Sequence, residues 1–254
     1  MLDRVGTYGF TAEPFHCDFT NRLFIGHLGN HLLNAADFHA TERGFGMDYL
    51  NPENKTWVLS RLAVEMTEMP VEYKRFNVET WIEGVMKYFT HRNFRIVDPD
   101  DSSRIYGYGR SIWAMIDTGT RQPQDILAVK DGAIAQYVYA DRPCPMAPLS
   151  RVKMSNGARF VASVDTHYSD VDVNGHINSI KYIEHVLNLF SLDWHATHRI
   201  SRFDIAYVAE SHYADRLDFY REDSADNAVC IRIQKVGSND DEPVEVCRCR
   251  IAFE

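Results

Sequence analysis

Little in this chain suits an oxidising compartment, a membrane or a polyanion. Its cysteines, Cys17, Cys144, Cys230, Cys247 and Cys249, are five in number, scattered, and without a CxxC pair. A reducing cytoplasm is the simplest setting for such a set. No stretch approaches the ~20 apolar residues that a membrane-spanning helix needs. The opening MLDRVGTYGFTAEPFHC has neither the apolar run of a signal peptide nor the Arg/Ser-rich character of a transit segment, so a cytoplasmic location is expected. Positive charge is in deficit: 27 Lys and Arg against 36 Asp and Glu leave a net −9. That balance disfavours nonspecific attraction to nucleic acid or anionic membranes. What remains is the composition of an ordinary globular protein, 45% hydrophobic and 25% charged. At 254 residues the chain makes one large domain or two of usual size.

The pattern of elements favours two. Residues 10–25 read as extended. From 26 to 43 the apolar positions Leu28, Leu32, Ala35, Ala36 and Ala40 form a helical stripe, with Gly44 and Gly46 as stop signals. Strands follow: residues 57–66, FNVETWIEG, and FRIVDPDDSSRIYGYGRSIWAMID, the last a hairpin with its turn at DPDDSS. The second half repeats the order. RFVASVDTHYSD is extended, and residues 177 to 190 carry the helical stripe Ile177, Ile180, Ile183, Val186, Leu187 and Phe190. RFDIAYVAES, DRLDFY, AVCIRIQKV and EVCRCRIAFE read as strands, with Cys247 and Cys249 on one face. Between the halves, residues 118–158 are rich in Pro, Gly and polar groups and read as an interdomain connection. Each half is therefore one helix plus several antiparallel strands, a compact α+β unit.

The junction before the second helix, DVDVNGHINSIKY, concentrates chemistry. Asp172, Asn174 and His176 stand two residues apart just where an extended segment gives way to a helix. If the segment stays extended the three share a face; if it bends into the helix they need not. A helix N-terminus offers unpaired N–H groups and partial positive charge, suited to a polarised carbonyl oxygen.

These residues carry a resemblance. DVDVNGHINSIKY is similar to the D-x-N-x-H-x-N signature of the acyl-ACP thioesterase family. ETW at 79–81 and GYGRSIWAMIDTGTRQ at 107–122 look like that family's N-terminal domain, and RFDIAYVAES resembles the strand that carries its acid and often a cysteine, here Glu210 and Ser211. The resemblance spans nearly the whole chain. It implies two tandem hot-dog domains, each a sheet wrapped round one long helix. The first, 1–140, would shape the acyl pocket; the second, 141–254, would hold catalysis. It implies hydrolysis of a fatty acyl chain from acyl carrier protein, ending fatty acid synthesis, with Asp172, Asn174, His176 and Glu210 as the working set. NRLFIGHLGN, the matching junction in the first half, lacks the D-x-N-x-H pattern, so one site per chain is expected.

Each residue type fits a role. His176 can carry a proton at neutral pH. Asn174 can hold His176 or the substrate carbonyl. Two routes stay open: Asp172 attacks the thioester to form an acyl anhydride, or Glu210 activates water for direct attack. Ser211 in place of the family cysteine argues against a thiol nucleophile. Trp57 and Met66 are candidates for lining the acyl tunnel.

Blander readings stand beside these. Asp172 and Asn174 suit turns and helix caps by themselves. Asp170, Asp172 and His176 invite a metal, but no companion His or Cys completes a set, so neither metal nor cofactor is expected. His27, His31 and His39 fit a half-polar helix face. Gly107 and Gly109 sit in a strand pattern without a following helix, as sheet glycines allowing close approach rather than a phosphate loop. The alternatives to acyl-ACP hydrolysis are an acyl-CoA thioesterase of the same fold and a noncatalytic fatty-acyl binding protein. A monomer or a homodimer is expected.

Overall fold

The computed structural model describes residues 2–149, 151–224, 226–236 and 242–254. The chain divides into two compact units, Met1–Leu149 and Ser150–Glu254.

The first unit contains β1 (Val5–Thr11), α1 (Ile25–Glu42), the single turn α2 (Met47–Leu50), β2 (Lys55–Met66), β3 (Arg75–Val85), β4 (Phe89–Val97) and β5 (Ile105–Asp117). Its strands lie in the order β1-β3-β4-β5-β2, each pair antiparallel. The stripe expected on α1 is the face that is buried: Leu28, Leu32, Ala35, Ala36 and Ala40 are all inside. The helix packs on β3, and Phe76, Trp81, Phe94 and Tyr106 fill the core from the sheet side. Burying each large apolar side chain contributes about 1.5–3 kcal/mol. Gly44 ends the helix with φ +77°, a left-handed value that glycine takes without strain.

The two strand glycines work by absence of a side chain. A Cβ at Gly107 would lie 2.4 Å from the Glu65 carbonyl, and one at Gly109 would crowd Phe94 at 3.1 Å and Leu32 of α1 at 3.4 Å. They let β5 approach β2 and let the helix approach the sheet.

Residues 118–149 belong to this first unit. Two short 3-10 turns within Ile126–Tyr137, separated by a kink at Val129, Lys130, Asp131 and Gly132, bury Ile126, Ile134 and Tyr137 against Ala40, Phe45, Leu50, Ile82 and Met115. Further on, Arg110 clamps the Cys144 and Met146 carbonyls. Pro and Gly keep the segment out of regular strands, but its few apolar side chains still seek the core, so much of it covers the unit rather than bridging to the next.

The second unit contains β6 (Arg159–Asp165), α3 (Ser179–Leu187), α4 (Leu192–Thr197), β7 (Ile200–Tyr207), β8 (Arg216–Ser224), β9 (Ala228–Val236) and β10 (Val244–Phe253). Its order is β6-β8-β9-β10-β7, all antiparallel. In chain order this is first, third, fourth, fifth, second, the same arrangement as in the first unit. The expected repetition is thus present at the level of hydrogen-bonded topology, and the α+β architecture of two tandem hot-dog units is borne out. The helix of this unit is shorter than the stripe suggests. Ile177 pairs with Val171 in a bridge instead of joining α3, and Phe190 lies beyond its end, its ring against that of Trp194 in α4 at 4.2 Å and tilted by 31°. Cys247 and Cys249 are fully buried, and burial pushes both thiols up in pKa. All five cysteines are free. Among the described residues, no helix is long and apolar enough to cross a membrane.

Candidate active site

The stretch before α3 is a tight hairpin, and its own side chain holds it shut. Val171 bridges Ile177, the Asp172 N–H donates to the His176 carbonyl at 2.8 Å, and the Gly175 N–H donates to the Asp172 carbonyl at 3.0 Å. Asp172 Oδ1 accepts the backbone N–H groups of Asn174 at 2.8 Å and His176 at 3.3 Å. Gly175 takes φ +80° with open space around it, so the turn needs glycine for its backbone angle. The bend separates the three residues that an extended chain would align. Asn174 is exposed at the tip, while Asp172 and His176 sit half-buried at the base.

Glu210 arrives from the segment after β7. Its Oε2 lies 3.5 Å from His176 Nε2, with both side chains partly exposed. The Ile177 N–H donates to the Ser211 carbonyl at 2.9 Å, which fixes that segment along the hairpin. The structure therefore brings His176 and Glu210 together at the base of the loop that Asp172 braces. Asp172 Oδ2 accepts no hydrogen bond among the described residues.

Two residues that sequence reasoning missed complete the surroundings. The His212 ring packs edge-on against His176 with centroids 5.1 Å apart. Lys235 Nζ reaches the Glu210 carbonyl at 3.4 Å and Asp215 Oδ2 at 3.5 Å, bracing the acid from β9. His212 stands two residues from Glu210 in sequence, a signal that was available; Lys235 carried none.

Beneath the hairpin, Asp170 is buried. Its Oδ2 accepts the His167 N–H at 2.8 Å, its Oδ1 lies 3.3 Å from His185 Nε2, and its carbonyl accepts the Asn178 N–H. Asp170 is thus a support, and among the described residues it does not converge with Asp172 and His176 into a three-ligand group.

The helix entrance is more occupied than a bare N-terminus. Asn178 is the cap, its Oδ1 accepting the Ile180 N–H at 2.9 Å. The N–H groups of Ile177, Asn178 and Lys181 also have protein acceptors. Among the described residues, the Ser179 N–H has no protein acceptor. Ser211, the residue that replaces the family cysteine, is fully buried beside Tyr182, whose hydroxyl is pushed up in pKa chiefly by burial. A side chain without access to substrate is no nucleophile, which accords with the argument against a thiol-type mechanism.

In the first unit, Trp57 and Met66 lie at opposite ends of β2, about 30 Å apart along the strand. Trp57 donates from Nε1 to the Phe45 carbonyl at 2.9 Å and lines a small apolar pocket with Phe45, Met115, Ile126, Val129 and Ile134. Met66 is buried against the Gly107 backbone and does not line that pocket.

A helix laid on a five-stranded antiparallel sheet, made twice in one chain with a polar hairpin at the second helix, defines a tandem hot-dog protein. The acyl-ACP thioesterase N-terminal domain matches residues 9–137, and the acyl-ACP thioesterase C-terminal domain matches residues 154–253. The chain belongs to the acyl-ACP thioesterase family. It is similar to the crystal structure of an acyl-ACP thioesterase from Bacteroides thetaiotaomicron, with 49% identity, a TM-score of 0.88, and coverage of 99% of this chain and 98% of that one. The structure of a 12:0-ACP thioesterase from Umbellularia californica, 21% identical with a TM-score of 0.83 over 100% of this chain and 98% of that one, shares the fold. The chloroplastic palmitoyl-acyl carrier protein thioesterase of Gossypium hirsutum is 26% identical over 81% of this chain. The chloroplastic oleoyl enzyme of Coriandrum sativum is 23% identical over 91%. This chain spans 52% and 65% of the lengths of those two relatives.

Proposed function

We propose that the protein hydrolyses the thioester of a fatty acyl–acyl carrier protein, releasing the free acid and the carrier thiol and so ending fatty acid synthesis. The observation that carries this reading is the 3.5 Å approach of His176 Nε2 to Glu210 Oε2 at the base of a hairpin whose Asp172 has a carboxylate oxygen that accepts no hydrogen bond among the described residues. Family membership and 49% identity to the Bacteroides acyl-ACP thioesterase support the substrate class.

The free oxygen favours the covalent route. Asp172 Oδ2 attacks the thioester carbonyl, and a mixed anhydride C–O bond forms as the C–S bond breaks. His176 gives a proton to the departing thiolate, so a neutral imidazole remains beside Glu210. Water then loses a proton to that imidazole and opens the anhydride, releasing the acid and restoring the Asp172 carboxylate. The Ser179 N–H supplies a donor to the carbonyl oxygen, the kind of contact whose removal typically costs roughly 100- to 1000-fold, whereas Asn174, exposed at the loop tip, is left out of this scheme. The second unit thus carries the chemistry. The first unit is assigned the acyl chain, as the family resemblance implies. Each methylene buried there contributes about 0.8 kcal/mol, so pocket depth selects chain length. The setting is the cytoplasm, where five free cysteines stay reduced.

The test is thiol release from a panel of acyl chains, each presented on carrier protein and on CoA. Turnover on the carrier-protein series with one preferred length is expected. A preference for CoA would overturn the donor, and no release from any length would leave a binding protein instead of an enzyme.

A further inference from the structure

We propose that Glu13, His16 and His31 form a binding site for a divalent transition cation of the zinc class, tying the Pro14–His16 turn to α1. The site uses no residue of the 171–177 hairpin and does not involve Glu210. One ligand atom from each of the three side chains lies within 4.8 Å of the other two. Donors on one zinc, with bonds of about 2.1 Å, stand about 3.4 Å apart in a tetrahedron, so side-chain movement of roughly 1 Å closes the set. Glu13 Oε2 and His16 Nδ1 are already 3.0 Å apart.

An ion pair between Glu13 and His16 would explain two of the three residues but not His31. That imidazole is 9% exposed, held between Phe10 at 4.5 Å and Phe76 at 5.5 Å, and its Nε2 is buried with no hydrogen-bond partner among the described residues. His27, one turn earlier on α1, stacks on His16 with centroids 4.2 Å apart and holds that ring in place. Two imidazoles and a carboxylate, with solvent completing the coordination, suit Zn²⁺, Co²⁺ or Ni²⁺ better than Ca²⁺ or Mg²⁺. The cation would pin the segment after β1 to the helix by bonds that ordinary surface packing does not supply.

Untagged, chelator-stripped full-length protein titrated with Zn²⁺ in a calorimeter tests this. The expected result is one equivalent bound per chain, a raised Tm, and, with Co²⁺ in its place, a visible ligand-field band. Glu13→Gln and His16→Ala change side chains near the surface, so both fold. Each should weaken Zn²⁺ binding at least about tenfold, the loss seen when even supporting groups of metal sites are removed, and each should abolish the Co²⁺ band. His176→Ala should leave both readouts unchanged. No uptake by the wild type, or uptake and a Co²⁺ band that survive both Glu13→Gln and His16→Ala, would overturn the site. Thioester hydrolysis is scored separately and bears only on the reading above.

Discussion

Replacing Asp172 separates a brace from a nucleophile, because the two jobs fall on different oxygens. Oδ1 accepts two backbone N–H groups, at 2.8 and 3.3 Å, and Oδ2 accepts none among the described residues. Asp172→Asn keeps an Oδ1 acceptor in place, so the hairpin persists and Tm should stay within about a degree of wild type. Asp172→Ala removes both hydrogen bonds. Loss of a capping carboxylate of this kind costs about 0.5–2 kcal/mol, which for a chain of this size is a fall of roughly 1–8 °C. The bridge between Val171 and Ile177 and the two backbone hydrogen bonds keep the loop from opening altogether. For turnover the expectation differs: an amide oxygen braces but does not attack. Both variants should therefore lose roughly a thousandfold or more in kcat, as enzymes do when a nucleophile is removed and binding alone remains. The measurements are thermal unfolding and single-turnover thiol release on one acyl-ACP. Wild-type turnover in Asp172→Asn would refute attack by this residue, reduce it to a structural brace, and shift the chemistry to water activated by Glu210.

Three further outcomes follow from the same structure. His176→Ala should lose about 100- to 10,000-fold in turnover with little change in Tm, because its pairing with Glu210 is partly exposed and is worth about 0–1 kcal/mol; an active His176→Ala would remove the proton carrier from the scheme. Gly107→Ala should destabilise the first unit by about 1–3 kcal/mol, since its Cβ would meet the Glu65 carbonyl at 2.4 Å; unchanged denaturant midpoints would show that β5 yields there. Buried His39, whose Nε2–H donates to the Arg4 carbonyl, is held down to about pKa 2 by burial, with the Arg92 and Arg43 charges adding to the effect. The unfolded chain takes up that proton near pH 6.5 while the folded chain does not, so stability should fall below about pH 6.5 by about 1.4 kcal/mol per pH unit from this group. Urea midpoints at pH 7 and pH 5 should show a shallower decline in His39→Gln, and an identical decline would refute the assignment.

Local pattern was enough for the repeated architecture. The stripe Leu28, Leu32, Ala35, Ala36, Ala40 records one-sided burial, which the chain must encode residue by residue at the period of its backbone; in β7 the alternation placed Phe203 and Ile205 in the core, but the intervening Asp204 is buried as well. The glycines of β5 were likewise legible, as positions where a side chain would not fit. The DVDVNGHIN segment announced chemistry because three functional side chains crowd one loop. Only the tertiary structure decided how they are used. The hairpin put Asn174 at an exposed tip and left Asp172 and His176 half-buried at its base, because Asp172 caps its own loop. Glu210 met His176 because β7 delivers its following segment alongside that hairpin, a contact between residues with no periodic relation. Burial of Ser211 beside Tyr182, and the capture of most N–H groups at the α3 entrance by Asn178, Asp170 and Ser211, also depend on which segments pack together. Short-range periodicity is written along the chain, whereas the meeting of distant side chains is set by sheet order and packing, and the candidate site is built from such meetings.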